Sequence, residues 1–80
     1  MDYLDKIKKI IAFLEQNDAQ DYANKISEVQ LSACTGGELL SSVTHTLLQI
    51  VKQDERIKKL IGKDVWELKS YCHSIGLIVK

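Results

Sequence analysis

The chain contains no proline and only four glycines among its 80 residues. That scarcity excludes collagen-like repeats and a turn-rich architecture, and it leaves long uninterrupted helices permitted. Two cysteines, Cys34 and Cys72, allow one bridge at most, so the chain is not a disulfide-stapled scaffold and fits a reducing compartment. No run of about 18 uncharged apolar residues is present, which excludes an ordinary helical membrane span. Residues 1–15 alternate charge and hydrophobe in place of a secretory leader, so a cytoplasmic location is expected. Neither sign of charge is in excess, because 11 basic side chains face 11 acidic ones. This balance disfavours a strongly electrostatic nucleic-acid binder.

What is present is a globular mixture, 45% hydrophobic and 28% charged, without linker, low-complexity segment or internal repeat. A length of 80 residues holds one core, so a single domain spanning 1–80 is expected. So short a chain often gains stability from a partner subunit, which keeps a homodimeric scaffold among the readings. The charge is unevenly spread. Residues 1–50 carry four lysines against seven carboxylates, whereas residues 51–80 carry seven basic groups against four acidic ones.

Apolar spacing predicts an all-α fold, a compact bundle of four to five antiparallel helices. Leu4, Ile7, Ile10, Ile11 and Leu14 recur at three- and four-residue intervals, one stripe of a helix for which Asp2 is placed as the cap. Asn17 ends the pattern, and Asp18 is expected to cap a second helix whose inner face is Ala19, Tyr22, Ala23, Ile26 and Val29. Two alanines on that face permit close approach, so the first two helices are expected to pair as a hairpin.

Thr35-Gly36-Gly37-Glu38 fits a capping box, in which Thr35 and Glu38 satisfy the first amides of a helix reciprocally, with Cys34 and Leu39 as its hydrophobic staple. The helix it opens carries Leu39, Leu40, Val43, Leu47, Ile50 and Val51 across a wide apolar sector with Leu48 as a second apolar edge, and Glu38, Ser41, Ser42, His45, Gln49 and Lys52 on the other side. Whether it runs on through residues 53–55 is left open by the spacing. A break is favoured, because Asp54 would otherwise intrude near the apolar stripe and can instead cap a short segment ending at Gly62. Asp64 and Glu67 then read as a further cap pair, opening a last helix with Val65, Leu68, Tyr71, Cys72 and Ile75 inward and Gly76 as its left-handed end.

The residue types that could carry chemistry are poorly spaced for it. Cys34, His45, Cys72 and His73 include metal-ligand types, but they lack the close ligand pairs of structural zinc sites, and adjacent helical positions project about 100° apart. Cys34 at a helix start suits a thiolate electrostatically, yet no oxyanion donor set or third group accompanies it. Gly36-Gly37 lacks the lysine of a phosphate loop, and Glu38 would repel a phosphate. No catalytic residue, metal or cofactor is assigned. Arg56, Lys58, Lys59, Lys63 and Lys69 form a basic series that suggests a small helical nucleic-acid binder, although no base-reading series accompanies it. Trp66 falls off the apolar stripe of its helix, so part of its ring is expected at the surface.

The segment Ser32-Ala33-Cys34-Thr35-Gly36-Gly37-Glu38-Leu39-Leu40, leading into a long amphipathic helix after a helical hairpin, resembles a pattern in small all-helical bacterial immunity proteins encoded beside secreted toxins. The resemblance implies a cytoplasmic protein that binds a cognate toxin and blocks its active site or assembly. The strongly acidic character and Tyr-Tyr motif of the colicin nuclease immunity proteins are absent. The expected function is thus a non-enzymatic protein-binding module, with exposed Glu15, Asp18, Asp21 and Glu28, then His45 and Trp66, as partner-binding residues.

Overall fold

The computed structural model describes residues 3–32 and 35–76. Four helices make up nearly all of it: α1 (Tyr3–Gln16), α2 (Gln20–Ser32), α3 (Gly36–Gln53) and α4 (Glu55–Ser74). No strand occurs among the described residues, and none of these helices is long and apolar enough to cross a membrane. The fold is all-α, with four helices where the sequence allowed four or five. Asp2 and Cys34, with their expected cap and staple, lie outside the described residues.

Each helix contributes its apolar stripe to one shared core. Ile7, Ile10 and Leu14 enter it from α1, Ala23 and Ile26 from α2, Leu40, Val43, Leu47 and Ile50 from α3, and Ile57, Ile61, Val65, Leu68 and Cys72 from α4. Full burial of each large aliphatic side chain contributes about 1.5–3 kcal/mol. Leu4 is 43% exposed and therefore marks the edge of the α1 stripe, not its centre. Thr44 and Thr46, both polar, are buried as well. Thr46 Oγ1 donates to the Ser42 carbonyl at 2.9 Å, and Thr44 Oγ1 lies 3.6 Å from Cys72 Sγ, so neither hydroxyl is stranded.

The helices form a closed ring in which α1 packs on α2, α2 on α3, α3 on α4, and α4 back on α1. One end of the bundle is marked by Tyr3, whose ring stacks on Tyr71 with centroids 6.2 Å apart. There Gly36 leaves room for the Tyr3 hydroxyl, which a Cβ at that position would meet at 3.1 Å. At another place the α1–α2 turn meets the α3–α4 turn, where the Tyr22 hydroxyl donates to Asp54 Oδ2 at 3.4 Å.

The α1–α2 turn corrects the expected role of Asp18. Its φ of 59° is left-handed, and the Ala19 amide donates back to the Leu14 carbonyl at 2.9 Å. This is the six-to-one bond of a Schellman ending, with buried Leu14 and Ala19 as its apolar contact. Asp18 therefore ends α1 and does not cap α2. Asn17 assists, its side-chain amide donating to the Phe13 carbonyl at 2.8 Å.

At the start of α3 the Thr35 hydroxyl accepts from the Glu38 amide at 3.1 Å, the threonine half of the expected box. The break at residues 53–55 is present. Asp54 has extended backbone, its own amide donates to the Ile50 carbonyl, and its carboxylate accepts from the amides of Arg56 and Ile57. A single residue thus ends α3 and begins α4.

Contrary to the expected stop at Gly62 and new start at Asp64, α4 continues unbroken through Gly62 to Ser74. Asp64 and Glu67 are mid-helix and cap nothing. They reach instead across to α1, where Lys6 Nζ lies 3.2 Å from Asp64 Oδ1 and 2.6 Å from Glu67 Oε2. The cost of a mid-helix glycine, about 1 kcal/mol, is small beside the burial of five residues on the same helix. Gly76 does adopt the expected left-handed backbone, with φ of 81°.

Three stability outcomes follow from this geometry. Replacing Asp18 by glycine relieves a left-handed non-glycine residue and is expected to raise stability by about 0.5–1 kcal/mol, read as a higher urea midpoint at unchanged slope. Gly62→Ala finds ordinary contact only, with Lys58 Cγ at 3.5 Å, and is expected to raise stability by about 1 kcal/mol in the same assay. Hydrogen bonds to Glu67, then to Asp64, hold the Lys6 ammonium above its ordinary pKa of 10.5. A raised lysine pKa gives stability that is whole below the unfolded value and is lost as pH rises through the folded one. Lys6→Met should therefore cost no more than about 1 kcal/mol at neutral pH, since the groups are partly exposed, and the gap from the parent chain should close above pH 10.5.

Candidate functional site

The antiphase of charge and burial on α3 and α4 builds a concave surface between them. On α3 the core sector is flanked by Leu48 and Val51, half-buried, and then by His45, Gln49 and Lys52. On α4, Lys58 and Lys69 are eleven residues apart and return to nearly the same azimuth after three turns. Where the two helices pack, these flanks enclose a groove of about 480 Å³. Its apolar lining is Leu48 and Val51, both half-buried, and its charged lining consists of Lys52, Lys58 and Lys69. The lysine stems extend the apolar surface while their ammonium groups stay in water.

His45 lies in the α3 wall, its Nε2 at 3.2 Å from the Gln49 side-chain amide. Trp66 stands on α4 beside the groove, 62% exposed, with the Lys69 ammonium 5.1 Å from its ring centroid. That distance is within the reach of a cation–π contact, which holds the ring and the lysine as one unit. An exposed tryptophan next to a cation-lined groove is the kind of feature that anchors protein interfaces.

The four acidic candidates lie elsewhere. Asp18 and Asp21 line a second, smaller cleft of about 330 Å³ together with Tyr22 and Arg56, while Glu15 and Glu28 are exposed on α1 and α2. The acidic set is interrupted by cations, since Arg56 borders the cleft and Lys25 stands one helical turn from both Asp21 and Glu28. Of the six candidate partner-binding residues, Asp18 and Asp21 thus share one cleft, His45 lines the cationic groove that Trp66 borders, and Glu15 and Glu28 belong to neither.

The basic series is also divided. Lys58 and Lys69 face the groove, whereas Arg56 borders the acidic cleft. Lys52, Leu48 and Val51 were legible as members of α3, but not as the lining of a site, because only the packing phase of α3 on α4 brings them opposite Lys58 and Lys69.

Cys72 is fully buried against Thr44, and its neighbour His73 is exposed, so the two point into different environments. Among the described residues no three histidine, cysteine or carboxylate side chains gather as a metal site. The chain matches no known family, no curated protein and no solved structure.

Proposed function

We propose that the chain is a non-enzymatic module that binds another protein through the α3–α4 face. The observation that carries this reading is Trp66, a large ring left 62% exposed beside a groove with an apolar lining. A tryptophan buries about 150–250 Å² when covered, and such residues dominate interface energetics. The bundle that presents it is one domain whose successive helices alternate in direction, a rigid support for a preformed face. Its most concrete form is an immunity protein of the cytoplasm that neutralises a cognate toxin, supported by the resemblance of the Ser32–Leu40 segment. In that form Glu15, Asp18, Asp21 and Glu28 make a second, peripheral contact that steers a charged partner.

A second reading, nucleic-acid binding, is favoured by the convergence of Lys52, Lys58 and Lys69 on one groove. It is the weaker of the two, because zero net charge gives no long-range attraction for a polyanion.

Co-expression with the protein encoded beside this one tests the toxin form: growth should be restored by the parent chain. Trp66→Ala is expected to weaken the complex at least about tenfold by calorimetry, with thermal stability unchanged because the ring is largely exposed. A non-toxic or non-binding neighbour removes the toxin form, and parent-like affinity of Trp66→Ala removes the α3–α4 face.

A further inference from the structure

We infer that the α3–α4 groove is a docking site for an acidic, amphipathic segment of a partner protein, an inference that rests on the protein-binding reading above. Charge complementarity identifies the occupant. Lys58 and Lys69 stand on one wall, about 16 Å apart along α4 at 1.5 Å per residue, and Lys52 stands on the other. Between them the apolar lining is Leu48 and Val51, with His45 and Gln49 as polar neighbours on α3. A ligand that satisfies this surface carries carboxylates along its edges and apolar side chains at its centre. A partner helix of about three turns meets both requirements, with anchors at three- and four-residue spacing seated over Leu48 and Val51.

The same dimensions disfavour a polyanion. A duplex presents about one phosphate charge per 1.7 Å of axis, some ten over the length between Lys58 and Lys69, against three lysines in the groove. Three cations match a segment with a few carboxylates. Trp66 lies at the rim, so the occupant's flank covers the ring as its anchors fill the groove. Because Trp66 is the only tryptophan in the sequence, tryptophan emission, excited to the red of the three tyrosines, reports on this rim alone.

The test titrates the full chain at low salt with two probes. One is a peptide of about fifteen residues with leucines at three- and four-residue spacing and glutamates on its other faces; the other is a single-stranded oligonucleotide of matched charge. Saturable peptide binding with a blue shift of Trp66 emission is expected. A combined Lys58→Glu and Lys69→Glu change should weaken it at least tenfold, and Lys52→Glu alone, on a different helix, should weaken it several-fold in a chain whose circular dichroism is unchanged. Peptide binding indifferent to these changes overturns the inference, as does failure of the peptide to bind. If the peptide fails while the co-expressed neighbour still binds, the groove assignment falls and the protein-binding reading stands. Binding of the oligonucleotide in place of the peptide overturns both.

Discussion

Asp54 is the constraint on which the arrangement depends. Its carboxylate holds the first amides of α4 while its backbone amide closes the last turn of α3, so the two longest helices are separated by one residue and packed face to face. The phase of that packing determines which flanks meet: Leu48, Val51 and Lys52 of α3 with Lys58 and Lys69 of α4. The Tyr22 hydroxyl, bonded to the same carboxylate, joins the α1–α2 side of the bundle to this junction.

The core and the groove are different uses of the same helical periodicity. Residues at the centre of each stripe are fully buried and specify that four helices associate. Those one position further round are half-buried and remain available at the surface. Leu48 and Val51 are of this second kind, apolar enough to extend the core and too peripheral to be sealed by it. Placing cations beyond them keeps the groove wetted without a partner and attractive to carboxylates in one.

Much of the fold was legible because it is local. The stripes of α1 and α3, the cap at Thr35, the break at Asp54 and the left-handed Gly76 all follow from residues within a few positions of one another. The misreadings share a cause. Asp64 and Glu67 have the spacing of a helix start, but the same three-residue spacing places two carboxylates on one face of a helix interior, and the cation that selects between these options, Lys6, is 58 residues from Asp64. Gly62 reads as a stop until the burial on either side of it is known. Asp18 precedes a helix, as a cap does, yet its left-handed backbone serves the helix before it. Thr44 and Thr46 lie within the buried sector because hydroxyls that bond to a carbonyl or face a thiol tolerate burial, which a hydrophobicity pattern does not register. The candidate site was the least legible, since its two walls belong to different helices and its charge is read only in three dimensions.

The ion pairs of Lys6 have a kinetic meaning. Three of the four main helix interfaces join sequence neighbours, and the fourth, α1 on α4, joins the first helix to the last. Neighbouring helices associate at small loop-closure cost, so the bundle has the local topology of fast-folding helical proteins. The α1–α4 seam spans the longest stretch of chain and so carries the largest loop-closure cost of the four. If the seam forms after the transition state, Lys6, Asp64 and Glu67 slow the opening of the first helix and leave the rate of assembly unchanged.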